Sequence, residues 1–206
     1  MRVIAGIYRS RILKSLKGLA LRPTSDRLRE TLFNVLGAGT SDSRFLDIFA
    51  GTGAVGIEAL SRGAVHATFI ENHAPSAALI RKNLASLGVD YDATVICADA
   101  VKALETLAHQ LAAARSEPVA HQYDYIFIDP PYAATEDYAR VMKYVASSNV
   151  LAPNGIVIVE HRKTLNLAES FGALKRVRLL RQGDAALSFY RRENPPQNET
   201  PAAENP

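Results

Sequence analysis

From residue 44 onward the chain repeats one unit: an unbroken apolar run, a turn, and a stretch of helical period. Phe45-Leu46-Asp47-Ile48-Phe49 reads as a buried strand, and residues 53–62 as the helix after it. Residues 67–71 form a second strand. Pro75 then opens a helix with the stripe Ile80, Leu84 and Leu87, which Gly88 closes. Residues 94–97 are a third strand, followed by a helix over about 101–114; residues 125–128 and 156–159 are the fourth and fifth strands. Strands that are apolar throughout have no wet face, so they belong to a parallel sheet covered on both sides. The pattern then changes. Residues 176–180 and 186–191, separated by Gln182-Gly183-Asp184, read as an antiparallel hairpin, which makes a mostly parallel, seven-stranded α/β sheet. Residues 193–206 offer nothing apolar to pack and are expected to be disordered.

The segment ahead of this core differs in charge. Residues 1–35 hold eight basic residues against Asp26 and Glu30, a net +6, whereas the other 171 residues hold 16 basic and 19 acidic, a net −3. The total of +3 thus sums a basic segment and a mildly acidic body, the footprint expected for a polyanionic partner. Residues 2–14 alternate loosely and suggest a short arginine-rich hairpin or arm. After Pro23, Thr24 or Ser25 can cap a helix with the stripe Leu28, Leu32, Val35 and Leu36, ended by Gly37 and Gly39.

Composition removes several classes. One cysteine, Cys97, excludes a disulfide scaffold and a cysteine zinc site; at a strand end it is expected to be a small core residue. His66, His73, His109, His121 and His161 show no ligand spacing, so no metal is expected, and each reads as a surface or strand-end residue. No apolar run approaches the roughly 20 residues that cross a bilayer. The N-terminus interrupts its apolar residues with arginines, unlike a signal peptide. A soluble, cytoplasmic protein without a membrane partner is expected.

Two segments carry chemistry. In Asp47-Ile48-Phe49-Ala50-Gly51-Thr52-Gly53-Ala54-Val55-Gly56, glycines turn the chain sharply at the carboxyl end of a parallel strand, where such sheets bind ligands. Gly51, Gly53 and Gly56 also match the dinucleotide fingerprint, with Glu71 placed to take ribose hydroxyls, so an NAD-dependent oxidoreductase is one reading. Asp47 beside the turn and Asp99 at the third strand's end suit instead an adenosine-containing cofactor with a cationic end. The second segment is Asp129-Pro130-Pro131-Tyr132, after the fourth strand. Two prolines stiffen the loop and remove two donors, leaving a carboxylate and carbonyls that accept both hydrogens of a planar amine. Tyr132 offers a face for a heterocycle. Holding the amine this way localises its lone pair for in-line attack on a methyl group.

Together these residues resemble the class I S-adenosylmethionine-dependent methyltransferases of exocyclic amines. Arg2-Val3-Ile4-Ala5-Gly6, Arg22-Pro23-Thr24, Asp26-Arg27 with Arg29-Glu30, Leu32-Phe33-Asn34, the 46–53 turn and its continuation through Gly63 are similar to the RsmD family. The resemblance covers roughly residues 1–190; Ser10 stands where a glycine is expected between two arginines. It implies a Rossmann-like fold, S-adenosylmethionine as cofactor, and methylation of a guanine N2 amine in 16S ribosomal RNA. That RNA would be met alone, in the small ribosomal subunit or in an assembly intermediate, by a monomeric enzyme. It further implies cofactor contacts from Asp47, Phe49, Gly51, Gly53, Glu71, Asn72, Asp99 and Ala100, and catalysis by Asp129, Pro130, Pro131 and Tyr132. Arg2, Arg9, Arg11, Arg22, Thr24, Arg27 and Arg29 would grip RNA, on an extension over residues 1–40 ahead of a methyltransferase domain over 41–192. A DNA adenine-N6 methyltransferase would use the same amine chemistry, and a non-catalytic RNA-binding module could share the fold.

Overall fold

The structure, a computed structural model, describes residues 1–15, 24–113, 121–131 and 135–193; Arg22, Tyr132 and the tail from 194 onward lie outside the described residues. Eight strands form one sheet in the order β3-β2-β1-β4-β5-β8-β7-β6. They are β1 Arg44–Ile48, β2 His66–Ile70, β3 Ala93–Ile96, β4 Tyr123–Ile128, β5 Leu151–Arg162, β6 Ser170–Phe171, β7 Leu174–Gln182 and β8 Ala185–Arg192. The first five run parallel to one another, and β8 joins β5 antiparallel, as the last three join one another. The strand beyond the expected seven is β6, whose Ser170 and Phe171 pair with Lys175 and Leu174. Two residues are too few to show a period. Glu193, expected to begin the disordered tail, instead continues the hairpin: its N–H donates to the Ala173 carbonyl and its carboxylate meets Lys175.

Alternation along the buried strands sorts side chains into two cores. Phe45, Phe69, Phe127 and Ile158 face α1 (Asp26–Leu36), α2 (Ala54–Ser61) and α3 (Ala74–Leu87). Leu46, Ile48, Ile126, Val157 and Val159 face α4 (Ala100–Ala113) and α5 (Thr135–Ser147). Helix α5 was not anticipated, although buried Tyr138, Val141, Met142 and Val145 recur at i, i+3, i+4 and i+7. Of the two candidate caps for α1, Ser25 acts: its Oγ accepts from the Leu28 N–H at 3.2 Å. From β1 the chain steps outward to β2 and β3 on one side and, from β4, to β5 on the other. The order therefore reverses between β1 and β4, where open α/β sheets leave a crevice at the strand carboxyl ends.

The N-terminal arm is a narrow loop closed by a single Arg2–Ile12 bridge, not a ladder. Val3 and Leu13 are buried, and Ser10 takes a left-handed φ of 68°, which is why a glycine is expected at that position. The arm lies on α2 and α3. Ile4 and Ala5 donate to the Glu58 carboxylate at 2.8 and 3.0 Å, and Lys14 N–H donates to Asn83 Oδ1 at 2.9 Å.

Candidate active site

The glycine turn follows β1 directly into the crevice. Phe49 adopts a left-handed φ of 64°, a conformation that costs a non-glycine residue about 1–2 kcal/mol and that collects at functional sites. The three glycines do different work. A Cβ on Gly56 would sit 2.3 Å from the Phe69 ring, and one on Gly53 would sit 3.1 Å from Ile80, so both permit helix–strand packing. A Cβ on Gly51 would meet nothing nearer than 4.0 Å, so only this glycine opens the turn outward. The amides of the turn are already answered by carboxylates. Gly56 N–H donates to Asp47 Oδ2 at 2.9 Å, and Gly51 N–H donates to Glu71 Oε2 at 2.7 Å. Glu71 Oε1 accepts from His73 N–H at 2.8 Å. Burial raises the Asp47 carboxyl to about 7, against the Gly56 hydrogen bond and with a further push from Glu71.

Asp99 follows β3 and caps α4, its Oδ1 accepting from Val101 and Lys102 at 3.0 and 3.3 Å. Its Oδ2 accepts from Arg140 of the unanticipated α5 at 2.8 Å, and this bond holds Asp99 below the usual carboxylate range. Ala100 is buried at the start of α4, and Asn72 is exposed just after β2. Asp47, Glu71 and Asp99 thus stand at the carboxyl ends of adjacent β1, β2 and β3.

Asp129 comes off β4 beside this row, its N–H donating to the Ile48 carbonyl at 3.3 Å. Pro130 is buried and Pro131 exposed. Ile128 pairs with Val159, so the next residue of each strand, Asp129 and Glu160, is brought alongside. Glu160 is 4% exposed and accepts from the Thr24 hydroxyl at 2.7 Å. The Asp129 carboxyl is pushed well above its ordinary value, first by desolvation, then by Glu160 and Asp47, with a Thr24 hydrogen bond opposing. Thr24, expected among the phosphate-gripping residues, is instead buried beside Glu160 and Asp129, because the chain enters α1 directly over the end of β5. Glu160 was missed, although an acid after an apolar strand is the same signal that marked Glu71, Asp99 and Asp129.

The basic residues divide. Arg9, Arg11 and Arg27 are exposed, and Arg2 is exposed with Asp26 3.5 Å away. Arg29 does not reach solvent. It lies inside the apolar stripe of α1, fully buried, with Nη2 donating to the Arg2 carbonyl and to Asp26 at 2.8 Å each. It therefore fastens the arm to the helix and is not available for phosphate. One further expectation changes: Cys97 is exposed, just after the edge strand β3. His161 is a strand-end residue as expected, at the end of β5, and is buried.

Comparison with known proteins places this arrangement. The family model described as "Conserved hypothetical protein 95" matches residues 1–191. "Putative rRNA methyltransferase YlbH" of Bacillus subtilis is 33% identical over 192 residues, covering 93% of this chain and 99% of that protein. Ribosomal RNA small subunit methyltransferase D of Haemophilus influenzae is 36% identical over 164 residues, 79% of each chain. The solved structure titled "Putative methyltransferase yhhF from Escherichia coli" superposes with a TM-score of 0.75 at 32% identity, covering 94% of this chain and 98% of that one. A methyltransferase structure complexed with SAH shares the fold at 17% identity and a TM-score of 0.61, covering 80% of this chain and 48% of that one. Matched from residue 1 to residue 191, and with relatives alike over most of both chains, the chain belongs to the Conserved hypothetical protein 95 family, the RsmD methyltransferases.

Proposed function

We propose that this chain transfers a methyl group from S-adenosylmethionine to the N2 amine of a guanine in 16S ribosomal RNA. Family membership carries the coarser statement, S-adenosylmethionine-dependent methylation of ribosomal RNA. The observation that supports the finer reading is the row of acids at the carboxyl ends of β3, β2, β1, β4 and β5, with Asp129 on its double-proline loop.

The residues present fit the cofactor. Asp47 is 2% exposed, and burial, with a smaller push from Glu71, raises its carboxyl to about 7, so a positive charge beside it would favour its ionised form. A donor with an ammonium and a sulfonium supplies it. A dinucleotide is less well served, because two amides of the turn, those of Gly51 and Gly56, already serve Glu71 and Asp47. When bound, S-adenosylmethionine supplies a methyl group on a cationic sulfur. The chain's residues do the rest. Asp99, Glu71 and Asp47 accept hydrogen bonds along the donor from its base to its cationic end. Asp129 and the loop carbonyls accept the two amine hydrogens, favouring a pyramidal nitrogen aimed at the methyl group. Because a stacked guanine cannot reach this crevice, it must be extruded or lie in a loop.

The Asp47 carboxyl makes donor binding pH-dependent. A cation favours the ionised form, so binding releases a proton wherever Asp47 is protonated in the free protein. Affinity for S-adenosylmethionine is therefore expected to rise by up to about tenfold per pH unit below 7 and to level off above it. Asp47→Asn should weaken binding and remove this slope, as read by titration calorimetry from pH 5.5 to 8.5.

The reaction itself is tested by incubating the protein and labelled donor with 16S ribosomal RNA from a strain lacking the enzyme, both protein-free and in the small subunit. Nuclease fragments are then mapped by mass spectrometry. One N2-methylguanosine is expected. Label on another atom, or N6-methyladenine formed on DNA in preference, would overturn the assignment.

A further inference from the structure

The C-terminal hairpin brings a second group of cations to the edge of the sheet that holds Asp129. Strand β5 outruns its parallel partner: Ile128 ends β4 opposite Val159, and β5 continues to Arg162. On the same edge β7 ends and β8 begins, since Ala185 pairs with both Arg162 and Gln182. Lys163 ties the hairpin turn to this edge through Asp184 at 3.0 Å. One cross-strand row, His161 on β5, Ala186 on β8 and Arg181 on β7, runs just inside it. Side chains of one row share a face of the sheet, and the middle one is a methyl group, so the space between imidazole and guanidinium stays open.

That space is a cavity of about 220 Å³ lined by His161, Lys163, Thr164, Asn166, Arg176 and Arg181 among others, with no carboxylate in its wall. A water's share of liquid volume is about 30 Å³, so the cavity takes a phosphate group with several waters. Its walls are braced. His161 Nδ1 donates to the Arg162 carbonyl at 2.8 Å, and its Nε2 shares a hydrogen bond with Ser188 Oγ at 2.9 Å. Burial lowers the His161 pKa, and Arg176 and Arg181 act in the same direction, the sign of a site with concentrated positive potential. Arg176 is anchored to the Leu167 carbonyl at 3.1 Å and to Glu169 at 3.3 Å. Arg181 is exposed and has no acidic partner within ion-pair distance among the described residues.

We propose that this cavity binds a backbone phosphate of the RNA, a few nucleotides from the base held at Asp129. The proposal rests on the ribosomal RNA reading of the acid cluster. The position fits, because Arg181 lies three strands from Asp129, or about 14 Å at the usual spacing of about 4.8 Å. It also lies on the α5 face of the sheet, whereas the arm covers the α2 and α3 face, so the two basic surfaces flank the crevice. An RNA strand delivering a base to Asp129 then has a cationic contact on each side of it.

The test compares Lys163→Ala/Arg181→Ala with wild type in equilibrium binding to protein-free 16S ribosomal RNA across a salt series. Affinity at low salt is expected to fall at least fivefold, and the slope of log K against log salt to flatten by about 0.7–0.9, the share of one phosphate. S-adenosylmethionine affinity should not change, which checks folding. Arg191→Ala is the control: this exposed cation lies on the opposite edge, beside Asp42 and Asn154, and its loss should leave the slope unchanged. A double variant that binds like a methylating wild type overturns the phosphate site and leaves the enzymatic reading standing. Equal flattening by Arg191→Ala also overturns it, because general charge would then explain the effect. A wild type that neither binds nor methylates the RNA removes both.

Discussion

Replacing Asp129 with alanine is expected to lower single-turnover methyl transfer by about 10²–10³-fold while leaving S-adenosylmethionine affinity within about twofold. The two effects separate because of where the carboxylate stands. Asp129 leaves β4, next to Glu160 and Thr24, whereas the acids proposed to hold the donor end β1, β2 and β3. The attacking nitrogen has its lone pair delocalised into the base, so it gains nucleophilicity only while its hydrogens are held by well-placed acceptors. Without the carboxylate one acceptor is missing from a dry site, and a single such group is typically worth about 10²–10³ in rate. Folding should not suffer. Asp129 is crowded by Glu160 and Asp47, so its removal relieves repulsion, and the melting temperature should stay level or rise. Asp129→Asn, which keeps the shape and one acceptor, should fall between alanine and wild type. Full turnover by the alanine variant on the natural substrate would show that the loop does not hold the amine. Loss of donor binding would move Asp129 into the cofactor site.

Most of the framework was legible in the sequence because it rests on local signals. Apolar runs with no wet face can only be central strands, and an acid just after such a run can only stand at the carboxyl end of the sheet. Glu71, Asp99 and Asp129 were found that way, and Glu160 satisfied the same rule unnoticed. What stayed hidden depends on partners far away in the chain. Thr24 lies 136 positions from Glu160, and nothing near it in sequence distinguishes a hydroxyl aimed at a buried carboxylate from one aimed at phosphate. Arg29 counted as one more surface cation, but its ligand is the carbonyl of Arg2, 27 positions earlier. Gly53 and Gly56 matched a ligand-binding fingerprint for a reason of packing: Ile80 and Phe69 fill the places their side chains would take. Cys97 was placed in the core by its apolar neighbours, and only the strand order reveals that, among the described residues, β3 has no strand beyond it.

The arm depends on one residue more than on its arginines, and Gly6→Ala is expected to detach it. Gly6 has a φ of +82°, and a Cβ built there would lie 1.7 Å from the Ser61 carbonyl oxygen, a backbone atom that cannot move aside. The contacts around it would be lost together. Ile7 N–H donates to that same carbonyl at 2.8 Å, Tyr8 N–H donates to Ser61 Oγ at 3.0 Å, and Ser61 Oγ donates to the Ala5 carbonyl at 2.6 Å. The larger cost arises at Glu58, which is 0% exposed and receives the Ile4 and Ala5 amides and Arg62 Nε. With the arm displaced, this buried carboxylate keeps only Arg62, and stranding part of a buried charge typically costs about 3–5 kcal/mol. For a chain of this length that corresponds to a fall in melting temperature of roughly 6–20 °C. RNA affinity and its salt slope should fall in the same variant, because Arg9 and Arg11 lose their placement. Arg9→Ala/Arg11→Ala separates the two causes: both side chains are exposed, so RNA binding should weaken with the melting temperature unchanged. If Gly6→Ala melts and binds RNA like wild type, the arm is not seated on α2. If the double arginine variant alone keeps full RNA affinity, the arm is seated there as a structural strap, and the RNA runs elsewhere over the crevice.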